Sequence, residues 1–395
     1  MKSIDLPERP DWRAKAEEAG FHFHTIGGEP YWDESSAYAF TLQQIEEDLE
    51  APTTQLHAMC REAVAHITAS EELMEKMDIP RQHWDLVANS WRAGEPELYG
   101  RFDLRYDGTS PAVMLEYNAD TPTSYYEAAT FQWEWLEDMV AAGALPQGSD
   151  QFNAIFDKTV DRFAEIFAKD TDVHFASVAD NPEDLGTVET LAWAARHAGL
   201  GAHYTTMESI GITDSLQFAD SEGRVMGALF KLYPWEDLLR EDFSQYLAGA
   251  NCRYLEPAWK ALLSNKAILP ILWEMFEGHP NLLPAFFEDA MSGPRFDRAA
   301  EAFARYGMVR KPLFSREGAD ITIEAADHHE VSPIKGYGDN RKIVQLYKPL
   351  PRFPRGYAVI GSWVVGEKAC GIGIREDNSL ITQDTSRFKP HYIKA

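Results

Sequence analysis

Apolar residues recur at spacings of three and four through much of the first 165 residues, the period of a helix with one buried face. Leu56, Met59, Cys60, Val64 and Ile67 fall on such a face after Pro52. Thr41, followed by acidic residues, reads as the cap of another helix, and residues 125–140 as a long aromatic-rich one. Between these blocks, residues 98–118 alternate with a period of two. Asp107 and Gly108 separate the two halves, which predicts a β-hairpin. From about residue 172 the pattern changes: 173–178 reads as a short buried strand, 181–199 as a helix ending at glycine, and 202–207 as a second strand. That βαβ order predicts a parallel sheet. A helical block is expected from 234 to about 265. The last hundred residues turn strand-like at 308–313, 321–324, 343–347, 357–365 and 370–375, as an antiparallel meander. The expected fold class is therefore mixed α+β and α/β. It has a helical part over about 1–165 that carries the hairpin, an open α/β lobe over 166–255 and a β-rich lobe over 256–395. With no repeat and no low-complexity linker, the lobes are expected to pack as one catalytic unit.

Composition narrows the function. The 395 residues carry 37 Lys and Arg against 63 Asp and Glu, a net charge of −26. So large a deficit argues against a general nucleic-acid or anionic-membrane surface, since both need positive charge against phosphate. It suits cationic small molecules and bound Mg²⁺. Cys60, Cys252 and Cys370 are odd in number and far apart, which argues against a disulfide framework or a cysteine metal knuckle. The first ten residues hold no signal core, and no apolar stretch approaches the ~20 residues of a membrane span, so a cytoplasmic protein is expected. A P-loop, a dinucleotide fingerprint, a zinc-protease helix and a nucleophile elbow are all missing from the sequence. His328 and His329 read as loop surface.

Two constellations could carry chemistry. On a hairpin, Arg101 and Asp103 share one face, as do Glu116 and Asn118, because side chains alternate. Two carboxylates and an amide oxygen converging across adjacent strands would suit Mg²⁺; a solvated polar face with an internal Arg–Asp pair is the competing reading. Downstream, Thr123 and Ser124 precede the helix beginning near Tyr125, either as an anion pocket or as a plain N-cap. The second constellation is cationic: Lys266, Lys311, Arg316 and Arg375 lie at loop junctions and strand ends, as candidate phosphate contacts or ordinary ion pairs. The aromatic stretch 231–236 reads equally as a strand end leading into a packed helix.

Six segments in order together resemble the synthetase domain of glutathionylspermidine synthase, in the ATP-grasp superfamily: 101–103, 115–124, 231–236, 264–270, 311–318 and 371–375. The resemblance covers nearly the whole chain and implies an ATP-grasp-like fold. It also implies an ATP-dependent ligase that joins a peptide-like acid, such as glutathione, to an amine such as spermidine. By that resemblance, Asp103, Glu116 and Asn118 would hold Mg²⁺ on the ATP phosphates, and Lys266 and Lys311 would contact the phosphates and adenine. Gln345 would lie at the adenine hinge. Arg101 and Arg375 would stabilise the transferring phosphoryl group, with Arg316 in a loop beside it, and Thr123 and Ser124 would lie near the peptide carboxylate. The bifunctional members carry an N-terminal amidase domain, whereas this sequence starts at the synthetase. Cys60, inside a helical pattern, is not read as an amidase nucleophile. A non-catalytic nucleotide- or polyamine-binding protein on a retained ligase fold is the alternative.

Overall fold

A computed structural model describes residues 1–383 and 385–395. The hairpin forms as expected, from Tyr99–Arg105 and Val113–Asn118. Its turn is closed by Asp107, whose Oδ1 accepts from the amides of Thr109 and Ser110, both at 2.9 Å. Gly108 adopts φ +85°, and a Cβ there would come within 2.5 Å of the amino nitrogen of Met1.

This hairpin is one flank of a six-stranded antiparallel sheet whose other strands come from the chain's end: Gly356–Val365, Lys368–Asp377 and Arg387–Lys389, with Arg352–Phe353 beside the first. Helix Ala51–Thr68 packs across it through a buried face containing Leu56, Cys60, Val64 and Ile67. The remaining late strands do not continue the same meander. Met308–Pro312, Thr322–Glu324, His329–Val331 and Lys342–Leu346 join Ala285–Phe287 in a separate five-stranded antiparallel sheet. His329, read as loop surface, thus begins an edge strand.

The βαβ unit is present. Asp172–Ser177 pairs in parallel with Gly201–Thr206 across helix Pro182–His197, and Asn181 caps that helix by accepting from the amides of Glu183 and Asp184. The sheet runs further than the sequence indicated. Ala228–Leu232 and Arg253–Leu255 extend it to four parallel strands. The expected helical block at 234–265 is therefore corrected to short turns, Trp235–Leu238 and Ala261–Ser264, around an edge strand. Three residues are too few to show a period, and the strand is recognisable only by its pairing. The first 165 residues are likewise not all helix beyond the hairpin: Lys2–Asp5 and Ser36–Phe40 form a sheet with His391–Ile393. Ser36–Phe40 is buried at every position, so it shows no alternation. Among the described residues, no helix is long and apolar enough to cross a membrane.

Candidate functional site

The hairpin places four polar side chains in a square. Arg101 lies opposite Asn118, and Asp103 opposite Glu116. Alternation sends Phe102 and Tyr117 to the other face, where their rings stack with centroids 3.8 Å apart. Arg101 donates to Asp103 Oδ1 at 3.1 Å and to the Thr123 carbonyl at 2.6 Å. Its guanidinium lies over the ring of Trp363, its partner on the next strand. Gly361, opposite Asp103, leaves the room: a Cβ there would meet Arg101 Cδ at 2.8 Å. Arg375, one strand further on, bonds the second oxygen of Asp103.

A bulge in the hairpin links this square to the five-stranded sheet. Register slips between Asp103 and Leu104, so Leu115 is left without a partner. Its carbonyl accepts from Lys311 Nζ at 2.9 Å. The same ammonium reaches Gln345 Oε1 at 2.8 Å, and Gln345 Nε2 donates to the Met114 carbonyl at 3.2 Å. Lys266 completes the cluster, 3.2 Å from Glu116 Oε2 and 2.7 Å from the Ser315 carbonyl.

On the third side, Ser124 Oγ lies 3.1 Å from the Tyr31 hydroxyl. Arg316 reaches across the opening, donating to Thr121 Oγ1 at 2.8 Å and pairing with Glu236 at 3.3 Å. Asp120 points the other way. It is fully buried, bonded to Lys231 Nζ and to the Trp235 amide, each at 2.8 Å. The stretch 231–236 is in this respect a packed strut.

All eleven candidates (Arg101, Asp103, Glu116, Asn118, Thr123, Ser124, Lys266, Lys311, Arg316, Gln345 and Arg375) line one cavity of about 410 Å³. That size suits a small-molecule ligand. The cavity opens between the two antiparallel sheets and the carboxyl ends of the parallel strands, where Val178 and Tyr233 stand. The sequence reading missed its other walls. Val309, Ile323, Leu346, Leu350, Val359 and Leu380 form an apolar side, while Glu183, Asp184, Asp237 and Glu317 form an acidic one. Asn181 and the acidic residues after it were visible as a helix start, but a cap signal does not reveal what the helix faces. Tyr31, in a short irregular stretch, had no signal.

Charge in the cavity is segregated: the whole lining carries six basic and six acidic side chains, but its floor, at the hairpin, is unbalanced. Arg101, Arg375, Lys266 and Lys311 stand against Asp103 and Glu116, four cations against two carboxylates. Burial alone would raise Glu116, but Lys266, Lys311 and Arg375 outweigh it and hold the carboxyl well below the usual range. Burial lowers Lys311 to about 8, with Glu116 opposing. Asp184, half-buried beside Glu183, is pushed up to about 7 by that partial burial and by the neighbouring carboxylate. Among the described residues, no three His, Cys, Asp or Glu side chains gather as a metal site. A cation here would find two carboxylates and the Asn118 amide, and would need its other ligands from water or substrate, as Mg²⁺ commonly does.

The chain is 38% identical to a proposed acid–amine ligase of Haemophilus influenzae, over the full length of both. It is 28% identical to trypanothione synthetase of Crithidia fasciculata and 25% identical to the bifunctional glutathionylspermidine synthetase/amidase of Escherichia coli. These matches take in 86% and 89% of this chain but only 54% and 58% of those two proteins. In fold, it superposes on a glutathione synthetase-like effector of Globodera pallida with a TM-score of 0.59 at 10% identity, covering 99% of this chain and all of the other. The fold is thus of the ATP-grasp synthetase type, and the family's named members are ATP-dependent carbon–nitrogen ligases. The family model described as glutathionylspermidine synthase preATP-grasp matches residues 3–394, so the chain belongs to the glutathionylspermidine synthase family.

Proposed function

We propose that the protein uses ATP to join a peptide-like carboxylic acid to a polyamine-like amine, through an acyl-phosphate, within one catalytic unit. The observation that carries this reading is the surplus of two positive charges on the floor of a cavity in a protein of net charge −26. Lys266, Lys311, Arg101 and Arg375 match a polyphosphate, and the apolar wall offers a face for a planar base. Asp103, Glu116 and Asn118 would hold Mg²⁺ through hard oxygens, and the ion would neutralise charge on the transferring phosphate.

In the free protein these carboxylates are held by Arg375 and Lys266. On nucleotide binding, the cations would turn to phosphate and the carboxylates would be released to the metal. Lys311 and Gln345 would orient the nucleotide. Arg101 and Arg375 would stabilise charge on the moving phosphoryl group, and Arg316 would close over it. A carboxylate is a poor electrophile, and phosphorylation makes its carbon open to attack by the amine. The amide forms as inorganic phosphate leaves, without a protein nucleophile. Thr123 and Ser124, at the start of the next helix, would hold the acid. The acidic wall at Glu183, Asp184, Asp237 and Glu317 suits a cationic amine.

The test is ADP release by the purified protein with ATP and Mg²⁺ across a matrix of peptides and amines that includes glutathione and spermidine, with mass spectrometry of the products. A condensed mass and ADP release that needs both partners are expected. Nucleotide binding with no pair turned over would leave a binding protein on a ligase fold.

A further inference from the structure

Behind the wall formed by Tyr31 and Ser124 lies a buried carboxyl that the reading above does not use. Glu127 is fully enclosed, and neither of its oxygens has a hydrogen bond of good geometry. The group in contact with it is the Tyr31 hydroxyl, which also lies 3.1 Å from Ser124 Oγ. Tyr31 and Ser124 both line the cavity. The backbone is unusual at both ends of this connection. Ser124 adopts φ +63°, a left-handed conformation rare outside glycine, and Glu127 opens a single π turn, Glu127–Phe131. Such features persist where the surrounding structure holds them, and they concentrate at functional sites.

An enclosed carboxyl without a well-placed donor is a costly arrangement, and an apolar residue would be cheaper for packing alone. Burial pushes Glu127 up to about 8, with Glu183 adding to the rise and Tyr31 and Arg101 opposing it. Near neutral pH, such a group is poised to exchange a proton with whatever reaches it.

We propose that Glu127, through the hydroxyls of Tyr31 and Ser124, takes up the proton that the attacking amine must shed. The inference rests on the ligase reading. An alkyl amine is an ammonium at neutral pH and cannot attack until deprotonated. Its proton passes to Ser124 Oγ as the proton of Ser124 passes to Tyr31 Oη and that of Tyr31 to the Glu127 carboxylate. The freed nitrogen lone pair forms the N–C bond, the C–O bond to phosphate breaks with its electron pair on the departing phosphate, and the second N–H proton, acidified once the N–C bond forms, leaves with that phosphate as hydrogen phosphate. Glu127 is thus a positioning residue and terminal acceptor that never touches substrate.

The experiment compares two nucleophiles, spermidine and hydroxylamine, on the full chain with ATP, Mg²⁺ and glutathione. Hydroxylamine is already a free base at pH 7. Glu127→Gln should slow amide formation with spermidine by about 100-fold and flatten the rise of kcat towards pH 8, while hydroxamate formation falls much less. Glu127→Asp should restore part of both the rate and the pH profile. Tyr31→Phe, which keeps the ring and its packing, should reproduce the Glu127→Gln pattern, and thermal melts would confirm that both variants fold. Equal losses with the two nucleophiles and an unchanged pH profile would overturn the relay and leave Glu127 a packing residue. A wild-type protein that makes neither amide nor hydroxamate here, and no condensed product across the substrate matrix above, would sink the ligase reading and the relay with it.

Discussion

Two clusters of buried charge sit on opposite faces of the same hairpin and behave as opposites. Behind it, Lys260 Nζ lies 2.9 Å from Glu97, 3.2 Å from Glu256 and 2.8 Å from the Tyr99 carbonyl. His57 bridges Glu97, at 3.1 Å, and the Tyr117 hydroxyl, at 3.0 Å. Glu256 also accepts from the amides of Leu98 and Tyr99, each at 3.0 Å. Lys260 and both carboxylates are buried, half-buried Arg61 pairs with Glu97 at 2.7 Å, and each group has protein partners. In front, Asp103 and Glu116 face four cations in a cavity open to ligands. Both clusters set buried carboxylates against basic side chains. What differs is closure and balance: a sealed, satisfied cluster holds the chain together, whereas an open one with surplus charge awaits a ligand of opposite sign.

The largest expected effect is in the sealed cluster. Lys260→Met should destabilise the protein by about 3–5 kcal/mol in urea unfolding, because Glu256 is left buried without its counter-charge and Glu97 keeps only Arg61 and His57. A loss below about 1 kcal/mol would break the comparison. In the open cluster, Asp103→Asn should slow ADP release by about 10²–10³-fold and leave the melting temperature nearly unchanged. A collapse of the fold instead would make Asp103 a structural residue like Glu97.

Lys311→Met should separate the two roles further. Nucleotide affinity, by calorimetry, should fall about tenfold, while stability at pH 7 changes by less than about 1 kcal/mol, as the removal of a disfavoured buried charge is offset by the stranded Leu115 carbonyl and Gln345. Unchanged nucleotide affinity would sink the assignment.

The smallest effect is one of pH. Burial depresses Lys311 to about 8, so its folded value lies below its unfolded one. The cost of burying its charge is absent above its usual range and is met in full once pH falls below about 8. In the same window, rising pH removes the proton that would face phosphate. Nucleotide affinity of the wild type should therefore decline as pH rises through about 8, and Lys311→Arg should flatten that decline. Equal slopes for the two proteins would place the titration elsewhere.

Much of the site was legible in the chain because the hairpin is local. Alternation alone puts Arg101 and Asp103 on one face and Glu116 and Asn118 on one face, and a turn residue such as Gly108 marks where the chain doubles back. The βαβ unit was legible for the same reason, since its strand and helix periods lie within forty residues of each other. The strand Arg253–Leu255 was not, because three residues carry no period. Nor was the division of the late strands between two sheets, because partners such as Ala285–Phe287 and Lys342–Leu346 lie far apart along the chain.

By itself, then, the sequence determined which residue types stand at which local positions, and it carried the family resemblance in six ordered segments. Only the tertiary structure decided that Lys266, Lys311 and Arg375 meet Glu116 and Asp103, since those pairings depend on sheet register and on the bulge at Leu115. It also decided that Asp120, two residues beyond Asn118, turns inward to Lys231. Likewise it alone enclosed Glu127 behind Tyr31, for burial is a property of what the rest of the chain brings near, and no local pattern encodes it.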